Sequence, residues 1–143
     1  MTVRYVLDTD ILSDLQRGHP RVVEKVREKD PSQIATTIVS AFEQLQGRFS
    51  QIDKARTPEE IVDAFRRLHE AIVFFREVPL LDYTSDAEKC YSDLRVHGVT
   101  AQKVKTLDLR IACIALSMCA ILVTRNRAHF QGNPNLRFDD WSA

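Results

Sequence analysis

The amino-acid sequence predicts an α/β domain of three layers, in which a mostly parallel sheet lies between helices. Short apolar runs typical of buried strands alternate along the chain with segments of helical periodicity. Parallel strands need crossover connections of this kind. The chain has 143 residues, of which 44% are hydrophobic, enough to build one core. We therefore expect a single domain over residues 1–143.

The first part of the sequence predicts two strands and three helices. In chain order they are a strand at 3–7, a helix at 11–16, a helix around 22–26, a strand at 34–36 and a helix at 38–49. Gly18 ends the first helix, and the Asp30-Pro31 pair ends the second. Apolar residues of the third helix recur at helical spacing and predict one buried stripe, formed by Val39, Phe42, Leu45 and Phe49.

Thr57-Pro58 begins the most clearly marked helix, because threonine can cap it, proline suits its first position and Glu60 can complete a capping box. One face of this helix carries Ile61, Phe65, Leu68 and Ile72. Further apolar residues between 62 and 75 make that face wider than one packing surface needs. Two interpretations remain open: a surface for a partner, or a deeply packed helix.

The rest of the chain predicts two more helices and two more strands. They are a strand at 78–81, a helix from a Ser85–Glu88 capping box to about residue 96 before Gly98, an apolar helix from Thr106 to about Cys119, and a strand at 121–124. The last helix should lie inside the domain, because residues 109–119 are almost entirely apolar.

Charge and cysteine content narrow the functional classes. Twenty Lys and Arg balance twenty Asp and Glu, so any nucleic-acid binding must come from local patches. Three cysteines without a C-x-x-C pair give a poor basis for disulfides or a zinc site. The sequence shows no secretory signal, and the apolar stretch 111–123 is shorter than the roughly 18 residues that cross a bilayer. We expect a soluble cytoplasmic protein that makes no membrane contact.

Three acidic residues occupy positions where α/β proteins place their active sites. Asp8 ends the first strand, Glu43 lies early in the helix after the second strand, and Asp108 is in the first turn of the apolar helix. Carboxylates that converge from distant parts of a chain repel one another unless a hard cation, Mg²⁺ or Mn²⁺, neutralises them. Each acid also has a purely structural interpretation: Asp8 as a helix cap, Glu43 in a capping box with Ser40, and Asp108 at a helix dipole.

Four blocks of the sequence resemble those of PIN domains, in the order and spacing of the VapC-type toxin ribonucleases. The blocks are LDTDIL at 7–12, SAFEQL at 40–45 with Gly47, DLRIA at 108–112, and LVTRN at 122–126 with His129-Phe130. The tail NLRFDDW at 135–141 is similar to the closing strand and acidic-tryptophan ending common in that family. The resemblance covers essentially the whole chain.

This resemblance implies a compact PIN-like α/β/α fold, hydrolysis of RNA phosphodiesters with Mg²⁺ or Mn²⁺, and inhibition by a cognate antitoxin protein. Asp8, Glu43 and Asp108 fall on three acidic family positions and are the implied catalytic metal ligands. Asn126 stands where the family has its fourth acid, so the number of metals, one or two, stays open. A homodimer is also implied, and the apolar face of 61–75 could serve either protein partner.

Arginines near the proposed crevice are candidates for phosphate binding. We assign substrate contacts to Arg125 and Arg127, while Arg110 and the lysines at 103 and 105 are further candidates. Two rival functions remain. A PIN fold without its fourth acid could bind RNA or a partner without cutting. The second rival is a phosphatase, because Asp8-Thr9-Asp10 also resembles the opening motif of haloacid-dehalogenase-type phosphatases. Lys105 and Asp139-Asp140 are poor matches to the other residues that such a phosphatase requires.

Overall fold

The computed structural model describes residues 2–96, 106–130 and 135–143. These ranges contain five strands: β1 (Tyr5–Leu7), β2 (Ile34–Thr37), β3 (Leu80–Leu81), β4 (Ile121–Val123) and β5 (Arg137–Asp139). Their α-helices are α1 (Thr9–Gln16), α2 (Pro20–Glu28), α3 (Ile38–Lys54), α4 (Pro58–Glu77), α5 (Ser85–Val96) and α6 (Thr106–Ser117). Short 3₁₀ turns lie at Pro31–Gln33 and Arg127–Phe130.

All the strands run parallel in one sheet, with the order β3-β2-β1-β4-β5. Successive side chains of a strand point to opposite faces of the sheet. Accordingly, Val6 of β1 belongs to a core with α5 and α6, whereas Tyr5 and Leu7 belong to a second core with α1 and α2. The predicted three-layer α/β/α fold with a parallel sheet is therefore confirmed.

Helix ends largely follow the local signals in the sequence. The side chain of Thr57 accepts a hydrogen bond from the Glu60 amide and caps α4 as predicted. Gly18, after α1, has φ +77°, a left-handed conformation that glycine adopts without strain. At α5 the predicted cap is displaced by one residue, because the hydroxyl of Thr84, not Ser85, accepts from the Ala87 amide. Gly98 lies outside the described residues.

The predicted buried stripe of α3 is correct at Val39 but wrong at Phe42 and Phe49. Phe42 and Phe49 are 49% and 52% exposed, while the helix buries Val39, Ala41 and the side-chain amide of Gln44. Helical spacing identified an apolar set without showing which neighbour covers it. Helix α3 packs against α4 and continues five residues beyond the predicted end at Phe49.

The wide apolar face of α4 is mostly exposed. Ala64 and Ala71 are the buried residues of this helix. The exposed ones include Ile61, Val62, Phe65 and Ile72, which we call the α4 apolar face. Phe74 and Phe75, near the C-terminal end, pack against the second core. Of the two interpretations left open by the sequence, this exposure favours a surface for a partner over a deeply packed helix.

The most apolar helix, α6, is buried as predicted, with Leu109, Ile111, Ala112 and three following residues in the core. It ends at Ser117, two residues before the predicted boundary. Within the described ranges, no helix is both long enough and apolar enough to span a membrane.

Candidate active site

The candidate site lies at the carboxyl edge of the sheet, between β1 and β4. The strand order reverses at this point, since the chain proceeds from β1 toward β2 and β3 on one side and reaches β4 and β5 on the other. Open α/β sheets form a ligand crevice at such a switch point. Asp8 directly follows β1 and Thr124 directly follows β4. The backbone amide of Asp8 donates to the Val123 carbonyl at 2.9 Å, which fixes the two strand ends side by side.

Asp8 is almost fully buried and its two carboxylate oxygens have different donors. Oδ1 accepts from the Thr9 amide at 2.8 Å, and Oδ2 accepts from the Thr124 hydroxyl at 2.8 Å. The first contact makes Asp8 the N-cap of α1, so the structural interpretation of this residue is also correct. Capping and catalysis are compatible, because a cap leaves lone pairs of the carboxylate available.

Burial raises the pKa of Asp8 from 3.8 to about 7, and the negative charges of Asp10 and Asp108 add to this effect. The hydrogen bonds from Thr124 and Thr9 act in the opposite direction. In the protein without a cation, the ionised form of Asp8 is therefore destabilised relative to the protonated form. A nearby positive charge would remove that cost.

Glu43 reaches the same place from α3. The Thr9 hydroxyl donates to Glu43 Oε1 at 2.8 Å, and Thr9 Oγ1 also lies 2.9 Å from Ser40 Oγ. Thr9 directly follows Asp8, so its hydroxyl links the start of α1 to Glu43 across 34 positions of sequence. The alternative capping box of Ser40 with Glu43 is wrong, because Thr37 caps α3 and accepts from the Ser40 amide at 3.0 Å.

Asp108 and Asn126 approach Asp8 from two further elements. Asp108 is in the first turn of α6, and its charge raises the pKa of Asp8. The backbone amide of Asn126 donates to Thr124 Oγ1 at 3.0 Å, and this hydroxyl in turn donates to Asp8. Asn126 itself is exposed. Asp8, Glu43 and Asp108 therefore face one region of the molecule, with Asn126 beside it.

Arg125 is held against α1 by two acidic residues. Its amide donates to Asp10 Oδ2 at 3.2 Å, and its Nε lies 3.6 Å from Asp14 Oδ2. The side chain is 46% exposed, so a phosphate could still reach it. Arg127 is exposed on the following 3₁₀ turn. Both arginines lie within three residues of Thr124, close to the end of β4.

Arg110 has a structural role that the sequence did not indicate. Its Nη1 donates to the Tyr83 hydroxyl at 2.6 Å and to Glu88 Oε2 at 2.8 Å, and the guanidinium lies 3.9 Å from the ring centroid of Tyr91. These contacts tie α6 to α5 and to the segment before it. Arg110 is therefore not the open phosphate-binding group expected from its sequence position, while Lys103 and Lys105 lie outside the described residues.

The donors at this site suit a hard divalent cation. The acids offer oxygen ligands of the kind that Mg²⁺ and Mn²⁺ prefer, and the like charges around Asp8 would be relieved by a cation. In the described part of the chain, no three His, Cys, Asp or Glu side chains already surround a common point that could hold an ion. The fit therefore rests on the type of donor and on the electrostatics of Asp8.

A family model and a curated relative each match most of this chain. The model of the PIN domain family matches residues 5–132. Ribonuclease VapC1 from Haemophilus influenzae strain R2866 is 28% identical over 142 residues, which cover 96% of this chain and 98% of that protein.

Two solved structures share the fold along nearly their whole length. The structure of VapBC-1 from nontypeable Haemophilus influenzae matches with a TM-score of 0.75 and 24% identity, covering 99% of this chain and 100% of that one. DNA-bound VapBC from Salmonella typhimurium matches with a TM-score of 0.78 and 22% identity, covering 98% and 99%. Since the family model spans all the strands from β1 to β4 and the acids between them, this chain belongs to the PIN domain family.

Proposed function

We propose that this protein is a divalent-metal-dependent ribonuclease that hydrolyses RNA phosphodiester bonds, and that it is the toxin of a toxin–antitoxin pair. The observation that carries the proposal is the approach of Asp8, Glu43 and Asp108 to one edge of the sheet, where Asp8 is buried among like charges. The relative named Ribonuclease VapC1 supports the activity, and ribonucleases of this type generally depend on a divalent metal.

Each residue of the proposed site has a distinct task. Asp8 and Asp108 are the principal ligands of Mg²⁺ or Mn²⁺. Glu43 either binds the cation or acts as a base that positions the attacking water and takes its proton. A bound divalent ion would activate water at neutral pH and stabilise charge on the phosphate oxygens. Thr9 and Thr124 hold Glu43 and Asp8 in orientation through their hydroxyl groups. Asn126 can orient water or substrate through its carbonyl oxygen.

Arg125 and Arg127 are the proposed substrate contacts next to the acids. Arginine can grip a phosphate through two parallel hydrogen bonds. Because Arg125 is already paired with Asp10 and Asp14, its contribution to RNA affinity should be smaller than that of a fully available arginine. Arg127 is the more exposed candidate.

Two protein partners complete the proposal: a cognate antitoxin, as in the VapBC complexes that share this fold, and a second copy of this chain. The α4 apolar face can serve one of them, because large apolar side chains are exposed there together. We place the protein in the cytoplasm, where both RNA and the antitoxin would be available.

The decisive experiment is an RNA cleavage assay with the purified protein. We expect cleavage of structured RNA with Mn²⁺ or Mg²⁺, none with EDTA, and none by Asp8→Asn, whose circular dichroism should equal that of the wild type. Asp53→Asn is the matched control, because Asp53 is an exposed acid near the far end of α3. Undiminished cleavage by Asp8→Asn would refute the assignment.

One alternative function has a specific observation in its favour. Asn126 replaces an acid at the fourth family position, so the protein could bind RNA or a partner without cleaving RNA. Mn²⁺ titration separates the two cases, since metal binding without cleavage is expected only for the binding module.

The phosphatase alternative loses support. The carboxylate of Asp139, one of its two candidate C-terminal acids, is engaged by the Asp140 amide and the Trp141 indole. It gives Glu43 no role, and the family match points to a PIN domain.

A further inference from the structure

A groove of about 710 Å³ extends away from the candidate site between three helices. It begins at Thr9 and Glu43, the two residues that share a hydrogen bond beside Asp8. From there it passes along α3 and is bordered by α1 on one side and α4 on the other. Any linear substrate with one group at the acids could therefore continue into this groove.

The polar groups along the groove are mostly paired within the protein. The side-chain amides of Gln16 and Gln44 bond to each other across α1 and α3 at 2.6 and 2.9 Å. Arg17 bonds to Asp14 at 2.8 Å. On α4, the neighbouring arginines also have acidic partners on the same helix; these are Arg66, with Asp63 and Glu70, and Arg67, with Asp63.

Arg48 is the exception. Its Nε is buried and has no hydrogen-bond partner among the residues that the structure describes. Buried donors are nearly always satisfied, and leaving one unpaired costs free energy. The Arg48 side chain as a whole is partly exposed on the groove wall, so an anionic ligand in the groove could pair with its guanidinium.

The position of Arg48 suits a phosphate next to the one that is cut. Arg48 follows Glu43 by five residues on the same helix, which is about 7.5 Å along the helix axis. Both residues line the same groove. A polynucleotide that presents one phosphate to the acids can thus present a neighbouring phosphate to Arg48.

The groove suits RNA better than a protein segment. A peptide that binds to helices usually anchors large apolar side chains in an apolar groove. Here the members of the α4 apolar face do not line the groove, whose walls carry four arginines, three glutamines and two glutamates beside a single large apolar side chain, Phe74. Polar and positively charged walls of this kind favour a phosphate chain over an apolar protein segment.

We propose that this groove binds the RNA backbone and that Arg48 contacts a phosphate adjacent to the scissile one. The proposal rests on the proposed function, because it identifies the ligand as the RNA that the nuclease would cut. Arg48 is then a substrate-binding residue that does not touch the reacting phosphate. Its contribution is electrostatic and independent of base sequence.

The test is the salt dependence of binding to a short fluorescent single-stranded RNA, measured by anisotropy in EDTA so that cleavage cannot occur. For single strands, each phosphate contact contributes about 0.7 to the slope of log K against log salt concentration. We expect Arg48→Gln to reduce the slope by about 0.7 and the affinity at 0.1 M salt by about fivefold. Arg48→Lys should keep the slope, because it keeps the charge.

Arg27→Gln is the matched control, since Arg27 is an exposed helical arginine on α2 that does not line the groove, and its slope should equal that of the wild type. An unchanged slope in Arg48→Gln overturns the proposal, even if the variant binds RNA more weakly. The same holds if Arg48→Gln loses affinity for polyglutamate but not for RNA, which would indicate a site for an acidic protein segment.

Cleavage by the wild type is measured separately after addition of Mn²⁺. If the wild type does not cleave but Arg48→Gln shows the reduced slope, the nuclease function fails and the groove assignment stands. If the wild type cleaves and the slope of Arg48→Gln is unchanged, the groove assignment alone fails.

Discussion

Asp8 shows how one side chain can serve both the fold and the site. It caps α1 with one oxygen and accepts from Thr124 with the other, and so it joins the ends of β1 and β4. Burial shields these two hydrogen bonds from water, and it also raises the pKa of Asp8 to about 7. An acid in this position is poorly stabilised without a cation and well suited to bind one.

This electrostatic cost predicts a dependence of stability on pH. In EDTA, between pH 3.8 and about 7, folded Asp8 keeps a proton that the unfolded chain has lost. The free energy of unfolding should therefore decrease as pH rises through this window, by at most about 1.4 kcal/mol per pH unit from this group. Asp8→Asn removes the titrating group, so its advantage over the wild type should grow with pH in urea denaturation.

Two further measurements complete this test. The exposed-acid variant Asp53→Asn should lose stability with pH as the wild type does. Added Mn²⁺ should stabilise the wild type near neutral pH and leave Asp8→Asn unchanged, because a ligand that binds only the folded state raises its stability. Parallel pH profiles for Asp8→Asn and the wild type would show that burial of Asp8 has no such cost.

Thr9 is the link on which the orientation of Glu43 depends. We predict that Thr9→Val, which keeps the shape but removes the hydroxyl, weakens Mn²⁺ binding about 10- to 100-fold, the range for groups that orient metal ligands. Thr9→Ser keeps the donor to Glu43 Oε1 and should bind Mn²⁺ as the wild type does. Calorimetric titration measures both affinities, and equal values for Thr9→Val and the wild type would contradict the role.

The sequence predicted the acids but not the contact that orients Glu43. Asp8 could be found because acids after a parallel strand reach the open edge of the sheet. The contact of Thr9 with Glu43 spans 34 residues, and no local pattern encodes such a pairing. Arg48 likewise has no sequence signal, since its buried Nε depends on how α1, α3 and α4 come together.

At the scale of elements, Arg110 fixes α6, and with it Asp108, against α5. We predict that Arg110→Met lowers the free energy of unfolding by about 1 kcal/mol, chiefly through loss of the cation–π contact with Tyr91. The ion pair with Glu88 should contribute little, because Glu88 is half exposed. Urea denaturation measures the change.

Arg27→Met provides the control for this substitution, because Arg27 is exposed on α2. Its stability should stay near that of the wild type. The salt dependence of RNA binding is a second check. If its slope decreases in Arg110→Met as it does in Arg48→Gln, Arg110 binds the substrate and the structural assignment is wrong.

The helices also show where sequence patterns mislead. Large apolar residues of α3 and α4 recur at helical spacing, yet the buried positions include small residues, Ala41 on α3 and Ala64 and Ala71 on α4. Burial depends on which face of a helix a neighbouring element covers, and spacing alone does not identify that face. Periodicity therefore predicted both helices correctly, but it assigned Phe42 and Phe49 to the wrong environment.

For the whole molecule, the alternation of strand and helix patterns was enough to predict the layers and the parallel sheet. Crossovers between parallel strands leave few topologies to choose from. The sheet order then brings the ends of β1 and β4 together at the switch point. Which surfaces remain for other molecules depends on packing, and so the α4 apolar face could be recognised as exposed only in the folded structure.

That face leads to a prediction about assembly. Val62 and Phe65 are 69% and 54% exposed, so replacing both with serine should hardly change the stability of the isolated chain. We predict that the double variant weakens self-association or antitoxin binding at least about tenfold, since buried aromatic anchors dominate interface energies. Light scattering measures self-association, and co-purification with a co-expressed antitoxin measures the other contact.

Met118→Ser is the control for the loss of an exposed apolar side chain, because Met118 lies just beyond α6 and is 37% exposed. It should associate as the wild type does. If the double variant keeps both the mass of the wild type and its antitoxin affinity, the α4 apolar face serves neither partner. If Met118→Ser weakens association to the same extent as the double variant, the effect comes from general loss of apolar surface and the assignment of this face is wrong.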